Sequence, residues 1–254
     1  MSNKQKIALV TGGSRGLGKD MAFQLAEKGI DVIVTYQSKK DDAENVVNII
    51  KSQGRNAAAL QLDVAKSDTF DAFVNNLKEV LKSEFNADKI DGLVNNAGVG
   101  IHANFAETTE EQFDSMVNIH LKAPFFLTQK LLQVLNDGSS IVNISSGLAR
   151  FAFTGYEAYA TMKGAVETLS KYQAKFLGER KIRVNIVAPG AIETDFGGGA
   201  VRDNQDLNAQ LASMTALGRV GLPDDIGGVV AFLISDDSKW VNAQRIEVSG
   251  GIFI

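Results

Sequence analysis

Short apolar runs alternate with longer amphipathic segments along the 254 residues of this chain. Runs with the length and composition of buried strands lie at 7–10, 32–36, 57–62, 90–94, 140–144, 183–187 and 245–248. Between them, apolar residues at helical spacing predict helices near 17–28, 41–53, 67–84, 109–135, 156–178 and 223–234. Apolar strands that alternate with helices are typical of a parallel sheet covered on both faces. We therefore predict one α/β domain over residues 1–254, a doubly wound fold with about seven parallel strands.

Three local signals refine this prediction. Thr109 and Gln112 have the spacing of a capping box, which marks the start of the fifth helix. Pro124 lies inside that helix and should bend it, because proline removes a backbone hydrogen bond and crowds the preceding turn. Segment 189–199, PGAIETDFGGG, is predicted to be a loop that is mobile or approaches a ligand closely. Ligands of such sheets bind beyond the carboxyl ends of the strands, so segments that follow strands are candidate site walls.

Composition and charge exclude several kinds of site and partner. Apolar residues make up 44% of the chain, its net charge is −4 and its pI is near 5.3, which argues against nucleic-acid and anionic-membrane partners. The chain has no cysteine, which excludes thiol nucleophiles, and its two histidines have no metal-ligand spacing, so we predict no metal site. No stretch approaches the ~20 apolar residues of a membrane span, and the first residues are too polar for a signal peptide. We expect a cytoplasmic protein.

The first strand leads directly into TGGSRGLG, residues 11–18, and then into a helix. Glycines in this turn bring backbone N–H groups against a pyrophosphate at the helix N-terminus. The segment therefore predicts dinucleotide binding by Gly12, Ser14, Arg15, Gly16, Leu17 and Gly18. Its spacing, T-G-x-x-x-G-x-G, differs from the general G-x-G-x-x-G fingerprint and resembles that of the short-chain dehydrogenase/reductase family.

Further motifs carry this resemblance from about Lys6 to Gly251. The family's N-N-A-G segment resembles residues 95–98, its P-G-x-I-x-T segment resembles 189–194, and its C-terminal helix region resembles 218–237. The resemblance implies a Rossmann-type fold and an NAD(P)-dependent enzyme. It also implies further cofactor contacts by Asp63, Val64, Asn95, Ala97, Gly98, Pro189, Gly190, Ile192 and Thr194.

Tyr159 and Lys163 stand four residues apart on a predicted helix, so both side chains project from one face. A nearby cation favours the ionised phenol, so Lys163 should lower the pKa of Tyr159 and let it exchange a proton with a substrate oxygen. Ser146, thirteen residues before Tyr159, would hydrogen-bond that oxygen, and Ser145 is the less favoured of the serine pair. Each of these residues alone also fits an ordinary structural role.

The resemblance assigns the same functions to these residues. It implies that Lys163, together with Tyr159, also contacts the cofactor ribose. It further implies that Asn118, forty-one residues before Tyr159, anchors a water that links Lys163 to solvent.

The second predicted strand selects between the two nicotinamide cofactors. An NAD-selective site normally has an acidic residue at the end of this strand, whereas here the strand ends in Tyr36, followed by Gln37, Ser38 and two lysines. Asp31 begins the strand, ~16 Å from its far end, too far to contact a ribose. Arg15, Ser38 and one of the lysines fit a 2′-phosphate. The sequence therefore predicts NADPH/NADP⁺, with NAD less favoured.

The predicted reaction is reduction of a small-molecule carbonyl, of the ketone or 3-oxoacyl type, to an alcohol. A 3-oxoacyl-carrier-protein reductase is the nearest type in the family. However, no positive charge lies between Lys130 and Arg150 to dock an acidic carrier, so a free ketone, aldehyde or sugar fits equally. Phe151, Phe153 and Phe196 suggest an apolar pocket. The alternative is a non-catalytic dinucleotide-binding sensor or scaffold of the same fold.

The remaining expectations concern assembly and the histidines. The resemblance implies a homotetramer (or homodimer), and the apolar tail 251–254, GIFI, is expected at a subunit contact. A Ser–His–Asp hydrolase is excluded, because the chain has no G-x-S-x-G elbow and neither histidine follows a late strand. His102 is expected near the substrate mouth, and His120 is expected to be structural.

Overall fold

The computed structural model describes residues 5–254, so the first four residues of the predicted 1–254 domain lie outside the described part. Its strands form one parallel sheet in the order β3-β2-β1-β4-β5-β6-β7. They are β1 Ile7–Val10, β2 Asp31–Tyr36, β3 Ala57–Gln61, β4 Ile90–Asn95, β5 Leu135–Ile144, β6 Arg183–Pro189 and β7 Arg245–Val248. The chain order reverses between β1 and β4, which opens a crevice at the carboxyl ends of these two strands.

Helices cover both faces of this sheet. They are α1 Gly16–Glu27, α2 Lys40–Ser52, α3 Phe70–Phe85, α4 Glu110–Val117, α5 Ala123–Leu131, α6 Glu157–Leu177, α7 Ala200–Asp203, α8 Gln205–Ser213 and α9 Asp224–Ile234. One core packs α1, α2 and α9 against the sheet, and a second packs α3, α5 and the end of α6 against the other face. The predicted doubly wound Rossmann-type fold is confirmed. No helix within residues 5–254 has the length and apolar character needed to cross a membrane.

The predicted fifth helix, 109–135, is interrupted. It consists of α4 and α5 joined by a π-helical turn over Asn118–Lys122. The expected capping box is present, since Thr109 accepts from the amide of Gln112 and the Gln112 side chain accepts from the amide of Thr109. The π turn lies just before Pro124, the residue expected to bend the helix, and π turns occur often at functional sites.

A buried chain of amides holds α6 against the sheet. The Asn143 side chain in β5 donates to Ser170 at 2.8 Å and to Gln173 at 3.0 Å, both in α6. Asn143 in turn accepts from Asn95 in β4 at 2.8 Å. Because buried amides are costly unless they are paired, this network fixes how α6 lies over the crevice.

Candidate active site

The crevice between β1 and β4 is a cleft of about 570 Å³. It brings together seventeen of the predicted site residues from six segments of the chain. These residues are Gly12, Ser14, Arg15, Gly16, Leu17, Gly18, Tyr36, Ser38, Asp63, Val64, Ala97, Gly98, Tyr159, Lys163, Pro189, Gly190 and Thr194. Ser146 and Ile192 also line it, whereas Asn95 and Asn118 do not.

The glycine-rich turn between β1 and α1 forms the first wall of the cleft. A side chain at Gly18 would overlap the carbonyl oxygen of Gly12, and one at Gly12 would come within 2.9 Å of the Ala97 backbone. The Asn96 amide donates to the carbonyls of Thr11 at 2.8 Å and Gly12 at 3.2 Å, which ties this turn to the end of β4. The result is a cradle without side chains at the N-terminus of α1, which fits a dinucleotide pyrophosphate.

The structure places Asn95 inside the core and Asn96 at the cleft, which differs from the sequence prediction. Asn95 was predicted to contact the cofactor, but its buried side chain donates to Thr128 at 3.1 Å and to Asn143 at 2.8 Å, inside the core. Successive side chains of a strand point to opposite faces, so only one of the pair can face the crevice. Asn96 is the residue of this pair that lines the cleft.

The end of β2 carries no acidic side chain. Tyr36, Gln37, Ser38 and Lys39 line the cleft there, and a smaller adjoining pocket includes Arg15, Lys19 and Lys39. Asp31, at the start of β2, accepts from the backbone and side-chain nitrogens of Asn56 at 3.0 Å each. Asp31 is therefore committed to the opposite end of β2. The smaller pocket has three cations and two carboxylates, Asp42 and Asp195, and Arg15 donates to Asp195 at 3.3 Å.

Ser146, Tyr159 and Lys163 meet at the bottom of the cleft. Tyr159 and Lys163 are 7% and 5% exposed, and the Lys163 ammonium lies 5.3 Å from the centre of the Tyr159 ring. Burial raises the pKa of Tyr159, although a hydrogen bond with Ser146 opposes this rise. Burial also lowers the pKa of Lys163 to about 7, and its ammonium donates to the carbonyl of Ile144 at 2.8 Å.

This arrangement corrects one expectation about Tyr159. We expected Lys163 to lower the pKa of the phenol, but burial dominates and keeps the phenol protonated at neutral pH. A protonated phenol is a proton donor, which suits carbonyl reduction. Ser145 is oriented away from this chemistry, because its hydroxyl donates to Glu167 at 2.7 Å.

The two candidate residues of the π turn beside this pair differ in their positions. Asn118 is half-buried outside the cleft lining, while His120, expected to be structural, lines the cleft and is 2% exposed. The buried residues of this helical segment, Met116, His120, Ala123 and Leu127, recur at helical spacing. The function that the resemblance implies for Asn118 stays a prediction.

Aromatic side chains surround the mouth of the cleft. Phe196 lies 5.3 Å from the Tyr159 ring and Phe253 lies 4.6 Å from Phe151, between ring centres. Tyr156 also lines the cleft. The His102 ring meets the Tyr156 ring edge-on, with centres 5.2 Å apart, so His102 supports the mouth without lining it. Beside Phe196, the glycines at 197–199 all adopt left-handed backbone conformations.

The C-terminal tail folds back onto its own chain. Arg150 donates to both carboxylate oxygens of Glu247, at 2.8 and 2.7 Å, and to the carbonyls of Ile252 and Phe253. Ile252 is consequently 2% exposed within this chain, while Ile254 is 94% exposed. The expectation that the tail is covered at a subunit contact therefore does not apply to Ile252, which packs by the cleft.

Known proteins share this sequence and fold. Residues 12–252 match the family described as enoyl-(acyl carrier protein) reductase. The chain is 39% identical over 247 residues to an uncharacterized oxidoreductase of Methylorubrum extorquens, covering 97% of both. It is 39% identical over 251 residues to the 3-oxoacyl-[acyl-carrier-protein] reductase FabG of Staphylococcus epidermidis, covering 98% of this chain and 99% of that protein.

A solved structure shares the fold at similar identity. It is the landomycin C-6 ketoreductase LanV with bound NADP and rabelomycin, with a TM-score of 0.89 and 38% identity over 98% of this chain and 96% of LanV. The chain therefore belongs to the short-chain dehydrogenase/reductase family and is an oxidoreductase. The resemblance seen in the sequence motifs is confirmed.

Proposed function

We propose that this protein uses NADPH to reduce an apolar ketone to an alcohol, with Tyr159 as the proton donor. The observation that carries this proposal is that Ser146, Tyr159 and Lys163 lie together at the bottom of one glycine-walled cleft. When bound, the cofactor supplies the hydride. The residues of the chain bind the carbonyl, orient it and deliver the proton.

The proton donor and its neighbours have complementary tasks. The Ser146 hydroxyl donates to the carbonyl oxygen, which holds the oxygen where negative charge develops. Tyr159, kept protonated by burial, gives its proton to that oxygen. The buried Lys163 ammonium stabilises the phenolate that remains, because opposite charges attract strongly in a site with little water.

The cofactor preference rests on the end of β2 and the glycine-rich turn. Arg15, Lys19 and Lys39 outnumber the carboxylates Asp42 and Asp195 in the lining of the smaller pocket, and β2 does not end in an acidic residue that could hold a ribose 2′-hydroxyl. Cations there favour a 2′-phosphate. LanV, a relative of this chain, was solved with NADP bound, which agrees with this preference.

The substrate class follows from the walls of the mouth. Phe151, Phe153, Tyr156, Phe196 and Phe253 line the outer cleft and can stack on a flat substrate. A polycyclic or bicyclic aromatic ketone fits these rings better than a sugar, which would leave its hydroxyls without partners. LanV, solved with rabelomycin bound, is described as a ketoreductase, which supports a ketone as the substrate. The segment from Thr194 to Met214 would close over the bound substrate.

The decisive experiment follows NADPH absorbance with a carbonyl panel and a pair of tyrosine variants. Tyr159→Phe should lower kcat/KM by about a hundred- to ten-thousandfold, the usual contribution of a general acid. Tyr156→Phe removes a hydroxyl from the same cleft and should retain turnover within about threefold. Equal turnover by the wild type and Tyr159→Phe would refute the mechanism. NADPH binding without turnover of any carbonyl would instead favour a sensor or scaffold.

The panel also tests the substrate class. Tetralone-like bicyclic ketones should have a higher kcat/KM than a 3-oxoacyl thioester or an aldose. A preference for the thioester would instead place the protein with the carrier-protein reductases that resemble it, such as the enzyme of Staphylococcus epidermidis.

We also propose that the protein assembles as a homotetramer or homodimer. Tyr172 and Phe176 are 75% and 74% exposed on α6, and Phe125 and Phe126 are 43% and 38% exposed on α5. The two helices are neighbours, because the Gln173 amide donates to the Pro124 carbonyl at 3.5 Å. Such an aromatic face suits a second copy of the chain. A monomer by light scattering at micromolar concentration would refute assembly.

A further inference from the structure

Charged side chains from two other elements hold the serine pair that follows β5. The Ser145 hydroxyl donates to Glu167 on α6 at 2.7 Å. The carbonyl of Ser146 accepts from the Arg245 guanidinium on β7 at 3.3 Å. Arg245 also donates to the Glu167 oxygen that accepts from Ser145, at 2.7 Å. The ion pair of Glu167 and Arg245 therefore contacts both serines at once.

Arg245 makes the most enclosed ion pairs of the described chain. Its side chain is 22% exposed, and its partners Glu167 and Glu247 are 19% and 21% exposed. Every other ion pair among residues 5–254 has at least one side chain that is more than a quarter exposed. Exposed pairs order their partners weakly, because water screens them and long side chains move. An enclosed pair holds its partners more closely, since breaking it leaves a charge without a partner.

The ion pair connects these serines to the helix that carries the proposed proton donor. Tyr159, Lys163 and Glu167 follow one another at intervals of four residues, so they share one face of α6. The Ser145 hydroxyl also lies 3.4 Å from the carbonyl of Lys163. The position of Ser146 relative to Tyr159 therefore depends on contacts between the end of β5, α6 and β7.

The Ser146 hydroxyl is oriented by its own loop. The Leu148 amide donates to it at 3.2 Å, which occupies one lone pair and leaves the O–H free to donate. This bond selects the direction of the hydroxyl, whereas the contact with Arg245 fixes where the residue lies.

We propose that Arg245 is a positioning residue which, together with Glu167, holds Ser146 where its hydroxyl and that of Tyr159 reach one carbonyl oxygen. The inference rests on the proposed function, in which both hydroxyls contact that oxygen. Neither Arg245 nor Glu167 lines the cleft, so Arg245 acts through Ser146 and not on the substrate. A displacement of about 1 Å in such a group can lower a rate about a hundredfold.

A double-mutant cycle between Arg245 and Ser146 tests this inference. Arg245→Met keeps an unbranched side chain without hydrogen-bond donors, and it should lower kcat about ten- to a hundredfold, with the KM for NADPH within about threefold of the wild type. Ser146→Ala alone should lower kcat about a hundred- to a thousandfold. In the Ser146→Ala background, Arg245→Met should change kcat by less than about twofold, because the group through which it acts is already absent.

Arg180→Met is the matched control for lost stability. Arg180 also pairs with one carboxylate, that of Asp137 at 2.7 Å, and donates to the carbonyls of Leu132 and Leu135. It lies at the amino end of β5, the far end from Ser146. Arg180→Met should lower the Tm about as much as Arg245→Met but keep kcat within about twofold. If Arg245→Met does not fold, Arg245→Lys keeps the cation without the planar fork and gives the same cycle, with a kcat loss of about three- to tenfold.

The outcomes separate the inference from the proposed function. Unchanged kcat in the Arg245 variant, with an active wild type, would overturn the positioning function alone. Equal kcat losses in the wild-type and Ser146→Ala backgrounds would overturn it too, because Arg245 would then act independently of Ser146. A matching kcat loss in Arg180→Met would attribute the effect to stability and have the same consequence. An inactive wild type, or unchanged kcat in Ser146→Ala, would instead refute the proposed function and the inference with it.

Discussion

Replacement of Lys163 by methionine should stabilise the protein while it removes activity. Methionine has a similar length, so it can fill the same buried space, but it needs no water or counter-charge. The wild type instead keeps an amine in a site that is 5% exposed. Catalytic residues often cost stability in this way.

The size of the effect follows from the pKa of Lys163. Burial lowers this pKa from 10.5 to about 7, and each pH unit corresponds to about 1.4 kcal/mol. At neutral pH the buried amine therefore destabilises the folded state by up to about 5 kcal/mol. Methionine abolishes that cost but leaves the Ile144 carbonyl without its partner, which costs about 1–3 kcal/mol. A net gain of about 2–4 kcal/mol, or about 5–15 °C in Tm, is expected near pH 7.

The gain should depend on pH in a defined direction. Between pH 7 and 10.5 the unfolded chain binds more protons at this lysine than the folded chain, so wild-type stability rises with pH across this window. The advantage of Lys163→Met should therefore be largest at pH 7 and shrink toward pH 10. Urea unfolding of both proteins at several pH values measures it, and kcat/KM should fall by about a hundredfold or more in the same variant.

Lys171→Met provides the matched control. Lys171 is exposed on the same helix, so its replacement should change stability by less than about 0.5 kcal/mol at every pH. The reasoning fails if Lys163→Met destabilises the protein at pH 7, or if its effect is the same at pH 7 and pH 10.

Four other changes have defined outcomes. Burial raises the pKa of half-exposed Asp20 from 3.8 to about 6, so the protein loses stability at this group as the pH rises from about 4 through 6. Asp20→Asn should therefore increase the free energy of unfolding by about 1–2 kcal/mol at pH 8 and leave it almost unchanged at pH 4. Thermal unfolding at both pH values measures this difference. Arg15→Ala should lower kcat/KM about tenfold with NADPH and leave NADH turnover unchanged, and equal losses would argue against a 2′-phosphate contact. Gly18→Ala should abolish NADPH binding in a fluorescence titration, since its side chain would overlap the Gly12 carbonyl. Gly164→Ala, where nothing lies within 4 Å, should instead stabilise the protein by about 0.5–1 kcal/mol.

The spacing of apolar residues along the sequence was sufficient to predict the sheet and most helices. All seven predicted strands overlap observed ones, because buried parallel strands are apolar throughout. The start of β5 was missed, since Asn136, Asp137 and Gly138 are polar or flexible. Helices α7 and α8 were also missed, because they follow the glycines at 197–199 and bury few residues, so their apolar pattern is weak.

Residues of the site could be predicted from the sequence where the residue type and its spacing fit only one kind of local geometry. The glycines of the turn and the Tyr159–Lys163 pair are of this kind, and both line the cleft. Asn118 was assigned from the resemblance, at forty-one residues before Tyr159, and such a count cannot reveal which contacts a side chain makes, so its function stays a prediction. The recurrence of Met116, His120, Ala123 and Leu127 was the available signal for His120, and it points to the buried face.

The three left-handed glycines at 197–199 have a thermodynamic consequence for ligand capture. Glycine has more backbone freedom to lose than any other residue, and fixing one residue costs about 1–2 kcal/mol of entropy at room temperature. If the segment from Thr194 closes over substrate as proposed, calorimetry should find binding that is driven by enthalpy and opposed by entropy. Affinity should then weaken on warming, so the backbone freedom of these three glycines makes substrate capture sensitive to temperature.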